Sequence, residues 1–505
     1  MADTPPRHET RSAPRAAVVD LGSNSVRLVV FEGRGRNPHA IFNEKAVLGL
    51  GRGLQSTGRL NEAAIARAKV VLGRYHAVAR AMGAEPVEVM ATAAARDASN
   101  GPEFVTALEA CMPGVPIRIL TGAEEGRLSA EGVFLGFPDA DGILGDIGGG
   151  SLEVVNLAGG GIAEVASLPL GTIRLAERAG GDPARARAVA EGDLAGVPWL
   201  KEGSGRDLYL VGGAWRALAK LHIDQSGYPL SIVHHYVLPR EAARTLTTSV
   251  IATPVKALER LPGVSAKRAA DLPFAAVAMR RLLRATGARR VVFSANGLRE
   301  GWYGRLLDPA TRAEDPMLAA ARELATLCSR DTDLPPALLR WTAPLFEEAP
   351  EAEGPAARRL REAACWVSDI GSRDHPDYRA EQAVLRVLRQ YGAGLDHPAR
   401  AFLALVVGLR YDAPESAPCL LPARQLLDPA SARRATLLAA ALRLAYTLSG
   451  GTPALLANTT LERRGGRLVL RLVEGTGVFV GEGLERRVES LAAAFGLQAS
   501  VEVGG

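Results

Sequence analysis

One short phrase occurs twice in this chain, and the second copy decides what the first can be. Val18-Val19-Asp20-Leu21-Gly22-Ser23-Asn24-Ser25 returns as Leu144-Gly145-Asp146-Ile147-Gly148-Gly149-Gly150-Ser151. Each copy then runs into an apolar stretch, Val26 to Phe31 and Leu152 to Leu157. Strand, glycine turn and strand spell a β-hairpin. An aspartate at a strand end, glycines without Cβ atoms and a terminal Ser suit a turn whose backbone N–H groups converge on an anion. Gly22, Ser23, Asn24 and Ser25 are therefore one candidate phosphate cradle, and Gly148, Gly149, Gly150 and Ser151 a second. Either copy alone reads as an ordinary turn. Repeated in register, about one domain length apart, they predict a duplicated α/β domain with Asp20 and Asp146 facing each other across a cleft.

With 505 residues, 47% of them hydrophobic and 23% charged, the chain has the composition of a globular protein of about three domains. Cys111, Cys328, Cys365 and Cys419 lie far apart and form no C-x-x-C pair, which argues against a disulfide framework or a zinc site and for a reducing, cytoplasmic setting. Met1 to Arg15 mixes Pro, Arg, Asp and Glu without an apolar core, so a disordered tail is expected there, neither signal peptide nor anchor. Thr436 to Ser449, the most apolar later segment, is too short for a bilayer and contains Arg443. It reads as a buried helix, and no membrane partner is expected. The net charge of +5 favours anionic partners. Aromatics at 5% and arginines spread along the chain speak against a nucleic-acid partner that stacks bases, and for a polyanion that needs no stacking.

After the first hairpin, helical spacing runs from Asn61 to Ala81, with Asn61 as cap and Gly83 as stop. A strand over Pro86 to Ala91, a helix over Gly101 to Met112, a strand over Pro116 to Leu120 and a helix over Thr121 to Leu135 complete an alternating unit on a parallel or mixed sheet. The second unit holds strands over Asp207 to Val211 and Arg290 to Ser294, running into Gly212-Gly213-Ala214 and Ala295-Asn296-Gly297. From Asp308 the texture turns helical, with Met317 to Cys328, Ala356 to Val367 and Ala380 to Tyr391 as helices. The last stretch pairs Thr460 to Arg464 with Leu468 to Val473 around Gly465-Gly466, then adds a helix near Gly483 to Phe495 and a strand. The expected divisions are a tail over 1–15, α/β units over 16–137 and 138–307, a helical domain over 308–452 and a small α+β domain over 453–505.

Six phrases in order resemble the exopolyphosphatase and guanosine pentaphosphate phosphohydrolase family, within the superfamily of actin, sugar kinases and heat-shock chaperones. They are Asp20 to Ser25, Ala91-Thr92-Ala93-Ala94-Ala95-Arg96, Gly122-Ala123-Glu124-Glu125-Gly126-Arg127-Leu128, Asp146 to Ser151 with Glu153, Leu168-Pro169-Leu170-Gly171, and Gly297-Leu298-Arg299-Glu300-Gly301. The resemblance implies an α/β fold of two duplicated actin-like (ribonuclease H-like) domains, a C-terminal helical HD-like domain and a small α+β tail. It implies Mg²⁺-dependent release of the terminal phosphate from inorganic polyphosphate, processively, with the chain lying in the cleft and along a basic channel toward the helical domain. The alternative substrate is pppGpp, cut to ppGpp. A kinase or a nucleotide-gated binding protein is the more distant alternative, and each would place adenosine near Gly212-Gly213, where Trp215 either crowds a base or belongs to the core. A homodimer is compatible with this reading.

The residues divide the work. Thr121-x-x-Glu124 is a capping box, which turns Glu124 back to the helix start and leaves Glu125 free. By type alone Glu125 is equally a solvated first-turn carboxylate; the resemblance assigns it the orientation of the attacking water as general base. It sets Arg96 on the phosphate chain, where the bland alternative is a surface arginine. Asp146 and Glu153, with Asp20, are the implied Mg²⁺ residues, Glu153 otherwise being a strand-surface charge. Arg27 holds the place of Glu153 in the first copy and is a candidate only. No Gly-Lys-Ser/Thr loop occurs, so phosphate charge must be met by backbone N–H groups, arginine and metal. In the helical region Ser368-Asp369 and Arg410-Tyr411-Asp412 depart from a His-Asp metal pattern, and His375, His397 and His234-His235 read as ordinary structure, so no second metal is expected there.

Overall fold

The computed structural model describes residues 13–262, 264, 266–348, 351–392, 394–476 and 481–504. Most of the expected N-terminal tail lies outside these residues. The chain divides into two compact units, one of residues up to 226 and 233–313, the other of 227–232 and 314–505.

The first unit is built on two sheets with one plan. In the first, β1 (Arg15–Leu21) pairs antiparallel with β2 (Ser25–Glu32) and β2 with β3 (His39–Val47), while β4 (Ala84–Ala91) and β5 (Ile117–Ile119) follow in parallel, giving the order β3-β2-β1-β4-β5. In the second, β6 (Gly142–Ile147), β7 (Leu152–Ala158) and β8 (Gly161–Leu168) form the same meander, with β9 (Asp207–Val211) parallel to β6. β10 (Tyr236–Pro239) and β11 (Arg290–Phe293) complete the order β10-β11-β9-β6-β7-β8. The repeated phrase thus marks a repeated topology. The third strand of each meander, β3 and β8, escapes a reading by periodicity because each is a half-exposed edge in which no residue is fully buried.

Helices and caps follow local chemistry. Asn61 accepts from the Ala64 N–H at 3.1 Å and opens the helix Glu62–Ala81. Thr92 to Arg96 is not a continuation of β4: Ala93–Asp97 turns into a short helix whose three alanines are buried. The helix Gly122–Gly136 packs on Leu298–Gly304 through glycines, since a Cβ on Gly132 would meet the Gly297 carbonyl oxygen at 2.1 Å and one on Gly301 the Leu128 carbonyl at 1.9 Å.

The second unit packs helices including Pro316–Cys328, Pro355–Val367, Arg379–Arg389, His397–Arg410 and Pro429–Ser449. Its sheet is β12 (Thr459–Arg464), β13 (Arg467–Val473) and β14 (Gln498–Gly504), the last parallel to β13. Leu461, Leu468, Leu470 and Leu484 are buried in one core with Phe402, Leu438 and Leu442, so the α+β tail and the helices share their apolar interior. Arg443, inside the apolar helix, forms an ion pair with Asp412. Among the described residues no helix is long and apolar enough to cross a membrane. The four cysteines are free thiols.

Candidate active site

The two hairpin turns have the same internal wiring. Gly22 N–H donates to the Ser25 carbonyl at 3.1 Å, and Gly148 N–H to the Ser151 carbonyl at 3.0 Å. The turn carbonyls are taken from behind. Leu48 and Gly49 N–H groups donate to the Asn24 carbonyl and Gly51 to that of Ser23, while Thr172 donates to the Gly148 carbonyl and Ile173 and Arg174 to that of Gly149. Among the described residues no acceptor is recorded for the N–H groups of Ser23, Asn24, Gly149 and Gly150, and all four residues line one cleft. The Asn24 Oδ1 atom is buried without a partner. An amide edge held open in this way suits an anion.

None of Gly22, Gly148, Gly149 and Gly150 has a positive φ, so glycine there serves close approach. What approaches differs from expectation at two positions. A Cβ on Gly149 would meet Ile173 Cδ1 at 3.2 Å and Ser23 Cβ at 3.3 Å, and one on Gly150 would meet Ser23 Oγ at 2.7 Å. These two glycines admit the other hairpin. Gly148 is the open one, its nearest neighbour being the Ser151 carbonyl at 3.6 Å.

Strand register places the charged residues in two matching rows. In the first sheet Asp20 pairs with Arg27 and Arg27 with Lys45. In the second, Asp146 pairs with Glu153 and Glu153 with Ser167. One copy of the row is dominated by cations and the other by carboxylates. Ser167 Oγ donates to Glu153 Oε1 at 2.8 Å, and Ser129, from the helix Gly122–Gly136, donates to Asp146. Burial, then the neighbouring Asp146, holds the Glu153 carboxyl above its ordinary range. Burial also raises Asp20 and Asp146.

Glu124 and Glu125 separate as their neighbours dictate. Glu124 Oε2 accepts from the Thr121 N–H at 2.8 Å, and Thr121 Oγ1 accepts from the Glu124 N–H at 3.2 Å, which completes the capping box. Glu125 is buried on the cleft wall. Burial, followed by the charge of Glu153, raises its carboxyl, and Arg96 opposes that rise. Arg96 does not line the cleft. Its Nη1 donates to Glu125 Oε1 at 2.5 Å and to the Leu120 carbonyl at 2.8 Å, and its Nε to Asp97 at 3.2 Å, so the guanidinium is turned to these two acids.

The cations that do line the cleft are Arg27, Lys45, Arg216, Arg268 and Arg299. Apart from Arg27, sequence reasoning passed over them. The sequence signals for two of them are the place of Arg299 inside the sixth phrase and that of Arg216 just past Gly212-Gly213. Burial, then Arg268 and Arg27, lowers Lys45 to about 8, and burial with Arg299 lowers Arg216 to about 10. Such crowding is costly unless an anion relieves it. The cleft has about 200 Å³ of open volume, below the roughly 300–1,000 Å³ of drug-sized ligand pockets. Trp215 belongs to the core: it is fully buried, and its Nε1 donates to the Ala275 carbonyl at 2.9 Å. His234 accepts from the Ala295 N–H at 3.1 Å and packs with His235 against Phe137.

In the second unit Asp369 is enclosed by arginines. Arg330 reaches both its oxygens at 3.0 Å and Arg410 lies at 3.4 Å, while Ser368 bonds Tyr446 at 2.9 Å.

Residues 29–309 match the Ppx/GppA phosphatase family, and residues 317–501 match the exopolyphosphatase C-terminal family. Exopolyphosphatase 2 of Mycobacterium tuberculosis is 38% identical over 174 residues, 32% of this chain and 54% of that protein, so the chain spans about half the length of that relative. Exopolyphosphatase 1 of Mycobacterium leprae is 30% identical over 314 residues, 58% of this chain and 90% of that one. The PPX-GPPA enzyme of Aquifex aeolicus, a solved structure, is 28% identical with a TM-score of 0.50, over 57% of this chain and 98% of that one.

Proposed function

This chain belongs to the Ppx/GppA phosphatase family, and from that premise we propose that it is an exopolyphosphatase, releasing orthophosphate from the end of inorganic polyphosphate by hydrolysis. The observation that carries the reading is the pair of matched rows, Asp20–Arg27–Lys45 and Asp146–Glu153–Ser167, on two hairpins whose amide edges share one cleft. The turn amides receive the terminal phosphoryl oxygens, and Arg27, Lys45 and Arg216 neutralise the chain behind it. Glu125, oriented by Arg96, accepts a proton from the attacking water. The water oxygen bonds to the terminal phosphorus, the P–O bridge breaks, and its electron pair leaves on the shortened chain.

Mg²⁺ takes one or two carboxylates, water and phosphate oxygens rather than an all-protein cage. Asp146 and Glu153, crowded against each other and flanked by the Ser129 and Ser167 hydroxyls, fit that donor set. Bound there, the ion would offset phosphate charge and relieve the carboxylate repulsion. The reading is tested by phosphate release from long-chain polyphosphate and from pppGpp, with transfer to ADP measured alongside. Release from polyphosphate supports it. Cleavage of pppGpp alone, transfer to ADP without release, or no release from either would sink it.

A further inference from the structure

A second cluster of cations lies in the first unit, on residues that do not line the cleft. Arg187, Arg240, Arg244, Arg280, Arg281 and Arg284 line one groove of about 300 Å³, from the helices Pro183–Ala195, Arg240–Ala252 and Leu272–Thr286. Leu283 is the only other lining residue, so no carboxylate faces the groove among the described residues. Glu191 and Glu241 are the acids that pair with these arginines, at 3.4 Å to Arg284 and 2.9 Å to Arg244. Six guanidinium groups against two carboxylates leave four formal positive charges here, in a chain whose total is +5.

A solvated basic face would leave such side chains unanchored. Three of these are fixed. Arg240 Nη1 donates to the Leu283 and Ala288 carbonyls at 3.1 and 2.6 Å, Arg280 donates to the Thr248 hydroxyl, and Arg281, only 7% exposed, pairs with Glu191. Burial, then Arg281, Arg244 and Arg187, pulls the Arg280 guanidinium below its ordinary range, the mark of cations facing one another. Arg187, Arg244 and Arg284 are more than half exposed, and their pairs with Glu191 and Glu241 are surface ion pairs, weak enough to exchange for a ligand's oxygens. Guanidinium forks pair two oxygens of a phosphate at once.

We propose that this groove binds an oligophosphate anion, either an inner stretch of the chain whose end is cut in the cleft or a separate molecule. The helix Leu272–Thr286 connects the two places, since Leu272 lines the cleft and Arg280 to Arg284 line the groove. Along a helix that span is about 12–18 Å.

The probe is methylene-bridged tripolyphosphate, which cannot be hydrolysed at its bridges, titrated calorimetrically into the full chain. Two equivalents are expected to bind. Replacing the three exposed groove residues together, Arg187→Ala, Arg244→Ala and Arg284→Ala, should leave one, with melting temperature unchanged. The Arg→Lys triple should retain two, the second more weakly. One equivalent in the parent chain, or two in the alanine triple, would overturn the proposal. This arm does not depend on catalysis. A second arm rests on the exopolyphosphatase reading and identifies the source: an inner stretch of substrate predicts that the alanine triple raises KM for long chains about ten-fold and flattens its salt dependence, with tripolyphosphate turnover unchanged. A separate oligophosphate predicts that the alanine triple loses the second equivalent while its long-chain KM stays unchanged.

Discussion

Asp146 and Glu153 stand directly opposite each other in the β6–β7 hairpin, at the register position where the β1–β2 hairpin sets Asp20 opposite Arg27. One duplicated scaffold therefore carries two electrostatic solutions. The acid–acid pair repels itself and invites a cation, whereas the acid–base pair, extended by Lys45, invites an anion. A phosphoanhydride with a bound cation brings both.

Asp146→Asn should raise the Mg²⁺ concentration needed for half-maximal phosphate release, because one anionic oxygen is lost beside Glu153. Ser129→Ala should act in the same direction but more weakly, by freeing the Asp146 carboxylate that Ser129 holds. An unchanged Mg²⁺ titration in both variants would remove this pair from the metal's surroundings.

Glu125→Gln keeps the shape and loses the base, so turnover should fall about 10²-fold or more with little change in KM. Glu124→Gln should stay near parental turnover, since Gln still fits a capping box. Steady-state kinetics on both variants distinguishes the two roles, and equal losses would contradict them.

Much of this was legible because hairpin, glycine turn and capping box are local grammar. Each turn, with its aspartate, and the Thr121–Glu124 cap form through contacts a few positions apart, and the repetition of the hairpin is the sequence's sign that two such turns meet. The cation wall was not legible for the opposite reason: Lys45 sits on an edge strand with weak alternation, and Arg216, Arg268 and Arg299 reach the cleft only after distant elements assemble. Arg96 shows the converse failure. Its sequence position suggests phosphate, but a buried carboxylate 29 residues away lies at 2.5 Å and takes its Nη1.

The glycines separate by what lies beyond their missing Cβ. Gly149→Val should lower the melting temperature, since its methyls press on Ile173 and Ser23, an overpacking that costs about 1–3 kcal/mol. Gly148→Ala should keep the melting temperature and lose phosphate release, its Cβ having ordinary contacts only and standing in the cleft. Thermal melts beside activity assays check both, and full activity in Gly148→Ala would detach that turn from the substrate.

Anion binding should be linked to protons through Lys45. Its ammonium falls from 10.5 to about 8, through burial first and then Arg268 and Arg27. Between these values the unfolded chain holds the proton more tightly than the folded one, so this group's contribution to stability grows with pH and is lost as pH falls through about 8. A bound polyanion favours the charged form, so binding at about pH 9 should take up a proton. Calorimetry of methylene-bridged tripolyphosphate in buffers of different ionisation enthalpy reads that uptake, and Lys45→Gln should reduce it, Glu125 on the same cleft also being raised to about 9. Equal uptake in the variant would assign it elsewhere.

The Asp369 cluster of the second unit is expected to serve folding and not chemistry. Its carboxylate is 6% exposed and faces Arg330 and the buried Arg410, whose guanidinium also lies 3.6 Å from the Tyr446 ring centroid. Removing the acid strands a buried cation, which costs about 3 kcal/mol, the low end for such pairs because Arg330 is half exposed. Asp369→Ala should therefore lower the melting temperature by several degrees. Below that transition its turnover and Mg²⁺ requirement should match the parent chain, since Glu125, Asp146 and Glu153 all belong to the first unit. In a Glu125→Gln background, a metal-dependent phosphate-ester hydrolysis that disappears with Asp369→Ala would show that this cluster does chemistry of its own.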